Sequence, residues 1–197
     1  MVRVRLIDEI KDYALSNNVP IMKDDTIEYI KNLIIEYNTK DILEIGTAIG
    51  YSTICFRQSK EELSITSIER DKDRYDIAVS NTKKSKLSNI ELIFGDALET
   101  PIKGKYDMII IDASKAQKIK FLEKYKKNLS KNGIIIFDNI LFHGLVGKSE
   151  EIKSKNLRAL VKKIEMFLDY LKNQDEFFVK YLSIGDGLAI CKRWIIY

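Results

Sequence analysis

Apolar positions fall first at helical spacing and later in short unbroken runs. Over residues 2–16, Val4, Ile7, Ile10, Tyr13 and Ala14 recur every few places, which predicts an amphipathic helix. Ile27, Ile30, Ile34 and Tyr37 predict a second over 25–37. From residue 41 the pattern changes. DILEIG (41–46), LSITSIE (63–69), NIELIFG (89–95), YDMIIID (106–112) and IIIFD (134–138) are short and largely apolar, as strands covered on both faces should be. Helical stretches separate them at 51–60, 71–86 and 116–129, the last closed by an expected Asn132-Gly133 turn. A long helix is predicted at 155–173, with Leu157, Leu160, Val161, Ile164, Phe167, Leu168 and Leu171 on one face. EFFVKYLSI (176–184) and GLAICKRW (187–194) are strands joined by a Gly185-Asp186-Gly187 turn.

This alternation predicts an α/β fold: a seven-stranded, mostly parallel sheet with a C-terminal antiparallel hairpin and helices on both faces. A single domain is expected over 1–197, with N-terminal helices over 1–38 and a core over 39–197. Ligands of such sheets lie beyond the carboxyl ends of the strands. The first predicted strand runs into Glu44-Ile45-Gly46-Thr47-Ala48-Ile49-Gly50-Tyr51-Ser52, a glycine loop without the G-x-G-x-x-G spacing of dinucleotide sites. The second ends at Glu69, 23 residues after Gly46, where an acid can accept both hydroxyls of a ribose. The third ends in Asp96-Ala97, able to border a purine. The fourth ends in Asp112-Ala113-Ser114-Lys115 and the fifth in Asp138-Asn139.

Asp and Asn are also good turn formers, so each end taken alone has a purely structural reading. Five in a row point to chemistry: a nucleoside over the first three, and a hard divalent cation such as Mg²⁺ on Asp112, Asp138 and Asn139. Lys115 is then placed to act as base, and His143, the only histidine, falls in an apolar stretch read as a lid.

Composition narrows the setting. The two cysteines, Cys55 and Cys191, have no metal-site or disulfide spacing and read as buried thiols of a reducing cytoplasm. The N-terminus carries acids and does not read as a signal peptide, and no apolar run approaches the roughly 20 residues of a membrane span. A soluble cytoplasmic protein with no membrane partner is expected. The net charge of +4 permits an anionic partner such as RNA without demanding one. Basic clusters occur at Arg3 and Arg5, at Lys83, Lys84 and Lys86, at Lys118, Lys120, Lys124, Lys126 and Lys127, and at Arg158, Lys162 and Lys163.

The runs ILEIGTAIGYS, SIERD, GDALE, YDMIIIDASK and IIIFDN together resemble the Rossmann-like class I S-adenosylmethionine-dependent O-methyltransferases. The likeness is to the metal-dependent branch that includes catechol and caffeoyl-CoA O-methyltransferases. It implies S-adenosylmethionine and Mg²⁺ as cofactors. Glu44 and the Gly46–Ser52 loop, with Thr47, would hold the methionine part, Glu69 the ribose, and Asp96 and Ala97 the adenine. Met22 and Asp112 would also border the cofactor. Asp112, Asp138 and Asn139 would carry the metal, and Lys115 matches the lysine placed as base. Val19-Pro20-Ile21-Met22, the run from Asp138 to Val146 and Gly185–Ile190 look most like bacterial tRNA 5-hydroxyuridine methyltransferases. That narrower likeness implies a tRNA substrate, no DNA, and a homodimer. Ala116 stands where that pattern has Gly, and His143 where it has Lys or Arg. A catechol-type small-molecule methyltransferase is the alternative, and a cofactor-binding module without catalysis a third reading.

Overall fold

A computed structural model of the chain describes residues 2–194, with side chains from Arg5 onward. The elements are α1 (Val2–Ser16), α2 (Asp24–Glu36), β1 (Asp41–Ile45), α3 (Tyr51–Ser59), β2 (Ser64–Glu69), α4 (Lys72–Ser85), β3 (Ile90–Phe94), β4 (Tyr106–Ile111), α5 (Lys118–Tyr125), β5 (Leu129–Phe137), α6 (Lys155–Asn173), β6 (Phe177–Leu182) and β7 (Leu188–Arg193). They form one seven-stranded sheet of order β3-β2-β1-β4-β5-β7-β6. The first five strands run parallel, and β7 is antiparallel to both β5 and β6.

The strand order reverses between β1 and β4, which lie side by side in the centre. Ligands of open parallel sheets sit at that reversal. The register Ile45↔Ile111 and Ile111↔Phe137 sets Gly46, Asp112 and Asp138 level with one another at the carboxyl edge.

Period-two alternation sorts the central strands between two cores. Ile42, Met108, Ile110, Ile134 and Ile136 pack with Ile10, Ile30, Ile34, Ile54 and Phe56 on one side. Leu43, Ile45, Ile109, Ile111, Ile135 and Phe137 pack with Phe121, Tyr125, Phe167 and Leu171 on the other. Both N-terminal helices contribute to the first core, so residues 1–38 are packed onto the sheet where they are described. Burying an isoleucine or phenylalanine contributes about 1.5–3 kcal/mol, which accounts for the unbroken apolar runs.

Two sequence expectations change. The helix foreseen at 116–129 is shorter: a 3-10 turn occupies Lys115–Gln117, α5 ends at Tyr125, and a second 3-10 turn covers Lys126–Asn128. The strand begins at Leu129, and Asn132-Gly133 lie inside it instead of forming a turn. The cause is Leu129, buried opposite Tyr106; the pairing then shifts and resumes at Ile134 opposite Met108. Residues 130–133 thus make a bulge against Asp107. A Cβ on Gly133 would stand 2.8 Å from the Asp107 carbonyl oxygen, a contact only glycine permits. The outer strands are also less covered than their apolar runs suggest, since β3 and β6 are the sheet edges and expose Phe94 and Phe178.

Candidate active site

The loop leaving β1 turns through the left-handed region at Gly46 (φ +103°), Ala48 (φ 47°) and Gly50 (φ 83°). A Cβ on Gly46 would lie 2.5 Å from the Asp112 carbonyl oxygen, so the β1 and β4 ends meet backbone to backbone. Beneath the loop Glu44 is fully buried and accepts hydrogen bonds from the hydroxyls of Ser52 (2.6 Å), Ser67 (2.6 Å) and Thr53. Burial raises its pKa, and the three hydroxyls oppose that rise. Glu44 does not line the cavity above; Thr47 and Ser52 do. Thr47 Oγ1 shares a 2.6 Å hydrogen bond with Ser67 Oγ, which fixes the loop to β2.

At the tip of β2 the Glu69 carboxylate accepts three backbone N–H groups. Ala48 donates to Oε2 (2.8 Å), and Arg70 (2.9 Å) and Asp71 (2.8 Å) donate to Oε1. The acid ties the glycine loop to its own turn and faces the cavity. Asp96, more exposed, accepts from the Leu98 N–H at 2.8 Å, and Ala97 anchors the Tyr125 hydroxyl through its carbonyl. Met22, from the segment before α2, is buried at the same cavity.

The other half of the site comes from β4 and β5. Asp112 N–H donates to Ile45 O (3.0 Å), and Asp138 N–H donates to Ile111 O (3.3 Å), extending the sheet pairing one step beyond each strand. Asn139 adopts a left-handed conformation (φ 56°), and its N–H donates to Asp138 Oδ1 at 2.6 Å. Burial, with the Asp138 charge added, pushes the Asp112 carboxyl up to about 7. Burial also pushes Asp138 up, against the pull of the Asn139 N–H. Lys118 is buried and donates from Nζ to the Asp138 carbonyl; burial lowers its pKa to about 8. Lys115 lines the cavity with Nζ 5.8 Å from the Phe142 ring centre. All these ends open into one cavity of about 530 Å³.

The sequence profile of a family described as O-methyltransferase matches residues 3–194. The chain belongs to that family. As a member it is an S-adenosylmethionine-dependent O-methyltransferase. Tapetum-specific methyltransferase 1 of Arabidopsis thaliana is 30% identical over 194 residues, 94% of this chain and 83% of that protein. A caffeoyl-CoA O-methyltransferase of Populus kitakamiensis is 27% identical, over 93% and 82% of the two chains. Among solved structures, a Staphylococcus aureus protein provisionally named a caffeoyl-CoA O-methyltransferase superposes with a TM-score of 0.91 at 38% identity, covering 95% of this chain and 92% of that one.

For this methyltransferase, the donors at Asp112, Asp138 and Asn139 can be tested against a divalent cation. Among the described residues no group of three or more His, Cys, Asp or Glu side chains could hold an ion, so the set needs the Asn139 amide oxygen. Two carboxylates and an amide are hard oxygen donors, too few to saturate a cation and leaving positions for water and substrate, as Mg²⁺ prefers. The Asp112 carboxylate accepts no hydrogen bond from the described residues and faces the cavity, as a free ligand would. The residues fit the metal.

The sequence reading missed two residues of the site, Lys118 and Asp186. Lys118 looked like one of a row of surface lysines, yet it is buried. In the same row Lys124 donates to the Leu98 and Thr100 carbonyls, and Lys126 pairs with Glu123 and Glu176, so that cluster is largely committed internally. Asp186, read as a turn residue, is buried at the cavity and accepts the His143 N–H at 2.6 Å. The lid stretch is pinned further by Ile140 N–H to Gly187 O (3.1 Å) and Leu141 N–H to Asp186 O (2.9 Å). No signal marks Lys118 or Asp186 in the sequence alone, because their partners lie 20 and 43 positions away.

Proposed function

We propose that the chain moves the methyl group of S-adenosylmethionine onto one of two adjacent oxygens of a substrate held by Mg²⁺, and that the substrate is 5-hydroxyuridine at the wobble position of tRNA. The carrying observation is the contact of Gly46 with the Asp112 backbone, which brings the glycine loop against the oxygen-donor set. A cofactor on the loop and an oxygen pair on the donors would then be neighbours.

In this reading Glu69 receives the ribose hydroxyls, Asp96 and Ala97 border the adenine, and Met22, Thr47 and Ser52 wall the methionine part, with Glu44 bracing the loop from below. Asp112, Asp138 and Asn139 would hold Mg²⁺. When bound, the ion lowers the pKa of a coordinated hydroxyl and fixes the ring that bears it. Lys115 Nζ takes the hydroxyl proton or faces the oxyanion. The oxygen lone pair forms the new O–CH₃ bond as the S–CH₃ bond breaks, and the sulfonium becomes a neutral thioether. Orienting the two reactants can supply about 7–11 kcal/mol of the barrier reduction.

A tRNA substrate is supported by the sequence segments named above, by the +4 charge, and by Lys23, Arg70 and Arg74 at the cavity. Work in the cytoplasm is part of this reading; among the described residues no helix is long and apolar enough to cross a membrane. A homodimer is part of this reading; the exposed Phe178 and Trp194, packed edge to face beside edge strand β6, offer an apolar patch for it. The second reading, a catechol-like small molecule, is favoured by the caffeoyl-CoA names of the relatives.

The test incubates the protein with S-adenosylmethionine, Mg²⁺ and tRNA from cells lacking the gene, with a simple catechol in parallel. Conversion of 5-hydroxyuridine to 5-methoxyuridine, lost in chelator, is expected by mass spectrometry. Methylation of the catechol alone moves the substrate to a small molecule.

A further inference from the structure

Lys118 is the first residue of α5 and only 2% exposed. Its ammonium gains nothing from that helix end, where the dipole disfavours a cation. Nor does it face the cavity: Lys115, Gln117 and Phe121 line it, and Lys118 does not. Nζ instead points to the rear of the β5 end, donating to the Asp138 carbonyl and lying 5.8 Å from the Phe137 ring centre. A buried ammonium with one neutral acceptor and one ring is poorly compensated for lost hydration. The charged groups that act on it are Asp112, Asp138 and Asp186, opposed by Lys115 on the cavity side. A stem needed only for packing would serve as well with a methionine end.

We propose that Lys118 is a positioning residue, the resident counter-cation of the Asp112–Asp138 pair, which it holds from behind while the cavity side stays open to a divalent ion. Two carboxylates converging at adjacent strand ends repel each other; neither β4 nor β5 carries a cation near them, and the other cation that acts on both, Lys115, does so from the cavity side. A fixed ammonium behind the pair offsets that repulsion before any metal arrives. It also repels an arriving ion, so it weakens metal binding while keeping the ligands in place. The part concerning a divalent ion rests on the metal reading above; the part concerning the carboxylates does not.

Two measurements separate these parts. In chelator, urea unfolding is followed for wild type, K118M, D138N and the K118M/D138N double variant. A counter-cation predicts that the loss caused by K118M shrinks to about half or less once Asp138 is neutral, because its charge partner has gone. An equal loss in both backgrounds would mean that Lys118 only packs and bonds a carbonyl, and overturns the proposal. If K118M does not fold, K118Q, which keeps a donor for the Asp138 carbonyl, runs the same cycle. The second measurement titrates Mn²⁺ by electron paramagnetic resonance. K118M should bind Mn²⁺ about tenfold more tightly than wild type, as removal of one nearby positive charge requires. Unchanged affinity sinks the claim that Lys118 opposes the ion. Absence of Mn²⁺ binding by wild type would remove the metal reading, and the unfolding cycle would still decide the role of Lys118.

Discussion

The N–H of His143 donates to Oδ1 of Asp186 at 2.6 Å, so the loop after β5 hangs from the turn between β6 and β7. The other carboxylate oxygen of Asp186 is buried with no hydrogen-bond partner among the described residues, and His143 Nδ1 lies 3.9 Å from it. The Asp186 carboxylate thus fixes the middle of this loop at His143, while the Gly187 and Asp186 backbone carbonyls hold Ile140 and Leu141 and Glu165 holds Gly147.

Asp186→Ala should therefore free that stretch. Leaving the His143 N–H unpaired costs about 1–3 kcal/mol, so kcat/KM for the methyl acceptor should fall about ten- to hundredfold. Binding of S-adenosylhomocysteine, measured by calorimetry, should be unchanged. An equal loss in both would move Asp186 from the lid to the cofactor.

Asp138→Ala should abolish turnover and the response to Mg²⁺ while leaving cofactor binding largely intact, because Asp138 follows β5 whereas the glycine loop follows β1 and is tied to the tip of β2. Full activity of this variant in chelator would end the metal proposal.

Glu69→Ala removes the acceptor of three backbone N–H groups and the expected partner of the ribose. Charge-assisted bonds contribute about 1.5–3 kcal/mol each, so S-adenosylhomocysteine affinity should drop about a hundredfold or more. Calorimetry at constant salt reads this directly.

Gly46→Ala should damage both fold and function, since its Cβ would overlap the Asp112 carbonyl and φ is +103°. A lowered melting temperature together with lost cofactor binding is expected. Gly144→Ala, where nothing lies within 4 Å, serves as a control that tests positive φ without the clash.

Cys55 and Cys191 are buried, and burial pushes each thiol from its ordinary 9.0 up to about 12. The folded chain holds both protons through the window from pH 9 to 12, where the unfolded chain releases them. Stability must then fall as pH rises across that window, and no contribution from these thiols is expected below it. Buried Tyr51 and Tyr125, also pushed up by burial, act in the same direction. At pH 8 a thiol reagent should label neither cysteine until the protein is unfolded in urea; rapid labelling of the native protein would contradict the burial.

The central strands and both N-terminal helices were legible because each depends on a local run, and Glu69, Asp96, Asp112, Asp138 and Asn139 stand together at one cavity because they end those runs. Ile134–Phe137 is apolar throughout, short and rich in β-branched residues, as a strand covered on both faces should be. What escaped depends on distant partners. Lys118 is a lysine among lysines until Asp138 arrives beside it in the sheet. Glu44 reads like a ligand at a strand end, but its period-two phase turns it below the loop toward Ser52, Thr53 and Ser67. Asn132-Gly133 carries turn chemistry, and burial of Leu129 draws that turn into the strand.

The bulge at residues 130–133 limits how far a change of length in β5 can reach. In a strand, adding or removing one residue rotates every later side chain to the opposite face. Because β5 takes up its slack before Ile134, changes of length at 130–133 leave the facing of Asp138 untouched. The same change within 134–137 would turn Asp138 into the core and the site would lose a donor. A change of length at the amino end of β5 is thus absorbed within the bulge, and the chemistry at the carboxyl end is insulated from it.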